Sequence, residues 1–124
     1  MNITQTAISL NVPDVAASAS FAKTHFGFAE AMSAEGFVSL QHPDAPNLIF
    51  LETGLKTFRP QEIAGSAGRG TLLVFVVDDI DAEFARIDAA GARVITPPET
   101  EPWGERYCQF ADPNGIVWQL VQWV

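Results

Sequence analysis

The sequence predicts an α+β fold in which two βαβββ repeats form a cup-shaped half-barrel sheet with the helices outside. Three observations predict it. The length of 124 residues suits one domain. Each half of the chain contains an apolar run that ends at an Asp, and an Ala-rich stretch that stops at a Gly follows each run. We therefore expect a single domain made of modules at about 5–55 and 70–124.

The first repeat begins with the partly alternating apolar run 7–15, which predicts a strand. Asp14 stands where a side-chain oxygen can cap the free N–H groups at a helix start. The Ala-rich helix is expected over 16–26 and ends at Gly27, which can adopt the left-handed conformation. Further strands are predicted over 36–41 and 47–52, separated by the turn His42-Pro43-Asp44-Ala45-Pro46.

The second repeat has the same order of elements. The run 72–80 contains the capping residue Asp79, and the helix 81–90 stops at Gly91. Strands are predicted over 92–96, 106–111 and 116–123, with turns at Pro97-Pro98 and Asp112-Pro113-Asn114-Gly115. Residues 53–70 contain four Gly and one Pro and are assigned to the linker between the repeats.

Composition excludes several classes of partner. The net charge of −8 and the scattered Lys and Arg residues disfavour nucleic acid and anionic membranes. Residues 1–20 hold neither a basic residue nor a long apolar run, so a secretory signal and a membrane span are not expected. The single Cys108 cannot form an internal disulfide. We therefore expect a cytoplasmic protein that binds neither nucleic acid nor membrane.

Three groups of residues make the chain similar to the vicinal oxygen chelate superfamily of glyoxalases, extradiol dioxygenases and bleomycin-resistance proteins. They are 10–14 with Phe26-Gly27-Phe28, then 76–79, and Trp103-Gly104-Glu105-Arg106-Tyr107 followed by Asp112-Pro113-Asn114-Gly115. The resemblance covers nearly the whole chain and is closest to the metal-free bleomycin-resistance-like group. It implies the fold, but fold alone does not fix function.

The resemblance also implies four metal-ligand positions on inward strand sites. They fall on Ala7, Ile49, Leu72 and Gln119. Only Gln119 keeps a donor atom, whereas a catalytic metal site needs at least three protein ligands. The two histidines, His25 and His42, are expected at a helix end and in a turn, away from inward strand positions. We therefore expect neither a metal nor another cofactor.

An apolar ligand site is expected instead, on the inner face of the sheet. Alternation from the four positions adds the inward residues Ser9, Asn11, Leu51, Val74, Val76, Val117 and Val121. By the resemblance, Trp103 and Phe37 are the candidates to stack on a planar ligand, and Gln119 orients it by a hydrogen bond. Weaker candidates are Tyr107, Arg106, Phe58 and Arg59.

Other conspicuous side chains are given structural roles. Trp118 and Trp123 are assigned to packing or a dimer interface, off the ligand face. Cys108 is expected to pack in a strand. Glu99, Glu101 and Glu105 are expected to be solvated charges in a loop.

Three functions are weighed. The first is a metal-independent homodimer of bleomycin-resistance type that sequesters an aromatic or amphipathic small molecule, such as an antibiotic. The alternative is a glyoxalase- or dioxygenase-like enzyme, a metal-dependent lyase, isomerase or oxidoreductase. The third is a regulatory module that binds a side chain of another protein. The sequence favours the first, since three of the four ligand positions lack donors.

Overall fold

The computed structural model describes residues 1–67 and 70–124. They form two compact units, one on each side of residues 68 and 69, which we call the N-terminal and C-terminal modules. Each module has one long helix and one four-stranded mixed sheet, so the predicted α+β class and the two βαβββ repeats are confirmed. Neither of the long helices has the length and hydropathy needed to cross a bilayer. The predicted linker 53–70 extends over residues 68 and 69, which lie outside the described residues.

The N-terminal module has the strand order β1-β4-β3-β2, with β1 parallel to β4 and the other pairs antiparallel. Its elements are β1 (Ala7–Val12), α1 (Val15–Phe26), β2 (Ala29–Ala34), β3 (Phe37–His42), β4 (Ala45–Glu52) and a short 3₁₀ helix (Gln61–Ala64).

Both ends of α1 form as predicted. The Asp14 carboxylate accepts the Ala17 N–H at 3.1 Å, which satisfies one of the open donors of the first turn. Gly27 ends the helix with φ of 71°, a left-handed conformation that costs glycine little. The helix covers one side of the sheet, where the buried side chains are Leu10, Val12, Val38, Leu40, Leu48 and Phe50.

The C-terminal module repeats the topology with the order β5-β8-β7-β6, and β5 is parallel to β8. Its elements are β5 (Leu72–Val76), α2 (Ile80–Ala89), β6 (Arg93–Thr100), β7 (Glu105–Ala111) and β8 (Val117–Trp123). The Asp79 carboxylate caps α2 at the Ala82 N–H, 3.1 Å away, and Gln122 Oε1 accepts the Ile80 N–H at 2.9 Å. The side chain of Gln122, which lies in β8, thus helps to fix the start of α2.

Large aromatic side chains fill the space under α2. Trp118 is fully buried and stacks on Phe75 with ring centres 5.9 Å apart, while Phe110 stacks on Phe84 at 5.4 Å. Cys108 lies in this core, fully buried as expected from packing. Burial raises the pKa of its thiol to about 11, because the thiolate would lose its hydration there.

The β7–β8 turn contains a buried carboxylate. Asp112 is 3% exposed, and its Oδ1 accepts the N–H groups of Asn114 and Ile116 at 2.9 and 3.0 Å. Its Oδ2 accepts the indole N–H of Trp118 at 3.3 Å. The Asp-Pro-x-Gly sequence therefore fixes the turn and the largest core side chain together.

The structure corrects the predicted elements in two places. Strand β2 (Ala29–Ala34) was missed, because all six of its residues are exposed and show no apolar alternation. Pro97 and Pro98, predicted as a turn, lie inside β6. Proline is tolerated there because β6 is the outer strand of its sheet and its pairing with β7 shifts register between Thr96 and Glu99.

Candidate functional site

The side of the C-terminal sheet opposite α2 carries the candidate site, and we call it the open face. Strand pairing arranges its side chains in rows across β6, β7, β8 and β5. The first row is Arg93, Ala111, Val117 and Leu72; the second is Thr96, Gln109, Gln119 and Val74; the third is Glu99, Tyr107, Val121 and Val76.

The second row is a continuous chain of hydrogen bonds. The Thr96 hydroxyl donates to Gln109 Oε1 at 2.9 Å, and Gln109 Nε2 donates to Gln119 Oε1 at 2.8 Å. All three side chains are half-buried. We call these three residues the amide relay. Sequence reasoning found Gln119 but missed Thr96 and Gln109.

A signal for Gln109 was present in the sequence. The Asp112–Gly115 turn joins β7 to β8 as a hairpin, and residues at equal distances from its centre pair across the two strands. The predicted turn has its centre between Pro113 and Asn114, so a register drawn on it would pair Gln109 with Trp118. The observed pairing is centred on Asn114 and joins Gln109 to Gln119, so the sequence brings the two amides within one position of each other but does not pair them.

The third row holds a tyrosine–carboxylate pair. The Tyr107 hydroxyl donates to Glu99 Oε1. This hydrogen bond, more than desolvation, raises the pKa of Tyr107 to about 12, since ionisation would place an anion against a carboxylate. Glu99 lies in β6 and Glu105 in β7, so the expectation of a loop was wrong for these two residues. Tyr107 remains a neutral phenol at physiological pH.

Two tryptophans stand at the end of the open face beyond the third row. Trp103 is 67% exposed, and its indole N–H donates to Glu105 Oε1 at 3.3 Å. Glu105 pairs with Trp123, which is 62% exposed. Trp123 has the same strand phase as Gln119, so the prediction that it lies off the ligand face was wrong. The assignment of Trp118 to packing was right.

The Trp-Gly sequence has a geometric reason. Gly104 has φ of 88°, and a Cβ added there would lie 2.9 Å from the backbone oxygen of Val124. The Val124 N–H also donates to the Gly104 oxygen at 2.8 Å. Only glycine allows this close approach, which fixes the loop that carries Trp103 beside the end of β8.

Strand β5 gives the open face an aliphatic edge. Leu72, Val74 and Val76 point to the side opposite α2 and are 41%, 51% and 64% exposed. Their neighbours in sequence, Leu73 and Phe75, point to the core. The open face therefore combines exposed hydrocarbon with two internally hydrogen-bonded polar groups, the amide relay and the Tyr107–Glu99 pair.

Four of the other predicted site residues lie in the N-terminal module. Ala7, Ser9, Ile49 and Phe37 share the side of its sheet opposite α1, since Ser9 pairs beside Ile49 and Leu51 pairs beside Phe37. Phe37 and Ile49 are half-buried.

Three further candidates lie in a loop or on the helix side of a sheet: Phe58, Arg59 and Arg106. Phe58 and Arg59 are in the loop after β4, where the guanidinium of Arg59 donates to the backbone oxygens of Lys56 and Phe58 at 2.8 Å each. Arg106 is on the helix side of β7 and pairs with Asp81 of α2 at 2.7 Å. This hydrogen-bonded pair lowers the pKa of Asp81. Arg106 is thus a link between strand and helix, and its assignment to the ligand site was wrong.

Comparison with known proteins decides the family. Residues 3–120 match the family model described as Glyoxalase/Bleomycin resistance protein/Dioxygenase superfamily. The chain belongs to this superfamily. A crystal structure of a superfamily member from Nocardioides is similar over 100% of this chain and 85% of its own, with a TM-score of 0.83 and 25% identity. A superfamily enzyme from Burkholderia phytofirmans PsJN matches over 96% and 98%, with a TM-score of 0.79 and 21% identity.

A curated relative is an uncharacterised protein of Mycobacterium bovis. It is 35% identical over 92 residues, which is 74% of this chain and 56% of the relative. The chain spans about half the length of the curated relatives it matches. These superfamily relatives support the fold.

The metal positions implied by the superfamily do not suit a metal in this chain. Ala7, Ile49 and Leu72 have no donor atom, and Gln119 Oε1 already accepts a hydrogen bond from Gln109. Within residues 1–67 and 70–124, no three His, Cys, Asp or Glu side chains gather as a metal-binding group. A single neutral amide would leave a first-row ion essentially hydrated.

Proposed function

We propose that the protein binds a small planar, apolar or amphipathic molecule on the open face and acts, without a metal, by sequestering it. One observation carries this proposal: an exposed aliphatic edge at Leu72, Val74 and Val76 lies beside the hydrogen-bonded amide relay. Ligand sites in proteins are mostly apolar with a few fixed polar groups that orient the ligand. The open face has this composition.

The energetics favour a flat hydrocarbon ligand. Each Å² of apolar surface removed from water contributes about 25 cal/mol, and the β5 edge offers three such side chains side by side. A ring that reaches Trp103 or Trp123 gains about 0.5–1.5 kcal/mol more by stacking. The carboxylates Glu99 and Glu105 lie on the same face and disfavour an anionic ligand. The ligand class is therefore neutral or cationic and planar, which includes amphipathic antibiotics.

The state of the polar groups supports sequestration over turnover. Tyr107 commits its hydrogen to Glu99, and its raised pKa keeps it protonated. The amides of Gln109 and Gln119 do not ionise at neutral pH. These groups hold and orient a ligand but supply neither a base nor a nucleophile. The homodimer expected from the sequence belongs to this proposal, and light scattering measures it directly.

The proposal is tested by titrating the protein with naphthalene, quinoline and indole while following tryptophan fluorescence and the methyl NMR signals of β5. We expect shifts at Leu72, Val74 and Val76 and recovery of each compound unchanged. Val74→Asp should weaken binding about tenfold, because a charge replaces apolar contact surface. The matched control is Ile63→Asp, since Ile63 is an exposed aliphatic residue of the N-terminal module.

Two results would contradict the proposal. One is that none of the three compounds shifts the methyl NMR signals of β5, or that Val74→Asp and Ile63→Asp weaken binding equally. The other is a stoichiometric transition metal in the purified protein whose removal by a chelator abolishes an activity.

A further inference from the structure

The amide relay has a direction. In the order Thr96, Gln109, Gln119, each residue donates to the next one, first O–H to Oε1 and then Nε2–H to Oε1. The last member ends on β8 directly beside the exposed Val74. Its Nε2 group has two hydrogens, and within residues 1–67 and 70–124 neither has a hydrogen-bond acceptor. The relay thus ends in N–H donors on the open face.

Two directions are possible for a row of these three side chains. A primary amide carries both donor and acceptor, so two neighbouring glutamines can bond in either sense. A threonine hydroxyl also donates or accepts, and both senses contain the same number of internal hydrogen bonds. In the observed sense Thr96 is the donor, so Gln109 presents its oxygen to Thr96 and its nitrogen to Gln119.

We propose that Thr96 and Gln109 are positioning residues that orient the Gln119 amide, so that the open face selects planar ligands carrying a neutral hydrogen-bond acceptor. This inference rests on the proposed ligand site. The acceptor is a ring nitrogen or a carbonyl oxygen and not a carboxylate, because Glu99 lies on the next row of the same face. Tyr107 does not compete for the acceptor, since its hydrogen is bound to Glu99.

The first test reads the direction of the relay in the ligand-free protein. A long-range HNCO NMR experiment detects coupling across a hydrogen bond, from the donor nitrogen to the carbonyl carbon of the acceptor. We expect coupling from Gln109 Nε2 to Gln119 Cδ in the natural protein and in Thr96→Ser. In Thr96→Asp the outer group can only accept, so coupling should run from Gln119 Nε2 to Gln109 Cδ. Coupling in the reverse sense in the natural protein, or none, overturns the inference.

The second test reads ligand selectivity with three probes of similar size at mildly alkaline pH. Quinoline offers a neutral acceptor, indole offers an N–H donor, and naphthalene offers neither. One hydrogen bond of ordinary strength predicts that quinoline binds about fivefold tighter than indole. Thr96→Ser should keep this ratio, Thr96→Val should bring it close to one, and Thr96→Asp should invert it.

Controls separate this inference from the proposed function. Naphthalene should bind all variants equally, which shows that the face is intact. Thr100→Asp adds the same charge to β6 but faces Arg106, so it should leave the ratio unchanged. If naphthalene and quinoline both leave the β5 methyl signals unmoved, the ligand site itself is wrong, whereas the coupling experiment still decides the direction of the relay. If probes bind the face with one ratio in all variants, the orienting role of Thr96 is wrong.

Discussion

The two modules share a topology but use their amide side chains differently. In the N-terminal module, Asn11 Nδ2 donates to the oxygens of Ile63 and Gly65 at 2.6 and 3.0 Å, and this ties the loop after β4 to β1. At the matching position of the C-terminal module, three residues before the capping Asp, stands the exposed Val76. An amide committed to a loop is structural, whereas the relay amides keep donors available to a ligand.

The largest expected effect is on stability, and it compares the β7–β8 turn with the β3–β4 turn. Asp112→Ala should lower the free energy of unfolding by about 3 kcal/mol, because three N–H donors lose a buried carboxylate. Asp44→Ala, in the exposed β3–β4 turn of the N-terminal module, should change it by less than about 0.5 kcal/mol. Urea unfolding followed by tryptophan fluorescence measures both. Equal losses in the free energy of unfolding would show that Asp112 does not stabilise its turn more than Asp44 stabilises the β3–β4 turn.

The second effect separates the structural amide from the ligand amide. Asn11→Ala should cost about 1–2 kcal/mol of stability and speed proteolysis in residues 53–67, because the loop loses two hydrogen bonds. Gln119→Ala should change stability by about 0.5 kcal/mol or less, since water replaces a half-buried partner, but it should remove the preference for quinoline. Denaturation curves of both variants measure the change in stability, and probe titrations measure the preference for quinoline. A stability loss at Gln119 as large as that at Asn11 would remove the distinction.

The smallest effect is local to the C-terminal module. Tyr107 is the only tyrosine of the chain, so absorbance at alkaline pH reports this module alone. We expect its titration near pH 12, and Glu99→Gln should move it toward 10.0, the ordinary value. The folded-state pKa lies above the unfolded one, so the stabilising contribution is present below about pH 10 and is lost as the pH rises toward 12. Titration of the natural protein near pH 10 would rule out the Tyr107–Glu99 bond.

Much of the fold was predictable because its signals are local. The capping residues Asp14 and Asp79, the stop at Gly27 and the Asp112–Gly115 turn all act on neighbouring backbone groups, and each forms as predicted. Strand β2 gave no such signal, since an outer strand with every residue exposed needs no apolar alternation. Its existence depends on pairing with β3, which is a property of the sheet.

The site was predicted only as far as strand phase allows. Alternation correctly placed Gln119, Leu72 and Val74 on one face. It could not show that Thr96 lies next to Gln109, because a register shift in β6 intervenes and the two residues are 13 positions apart. The predicted cup that would join the two modules stays a prediction.

The consecutive prolines of β6 affect the tendency of the protein to aggregate at high concentration. Pro97 and Pro98 lack backbone N–H groups, and they lie on the outer strand of the C-terminal sheet. A β-strand from another chain would pair poorly there, because proline offers it no N–H donor, and this disfavours growth of a cross-β sheet from this edge. Pro97 and Pro98, which led the sequence analysis to predict a turn in place of this strand, therefore also disfavour aggregation through its outer edge.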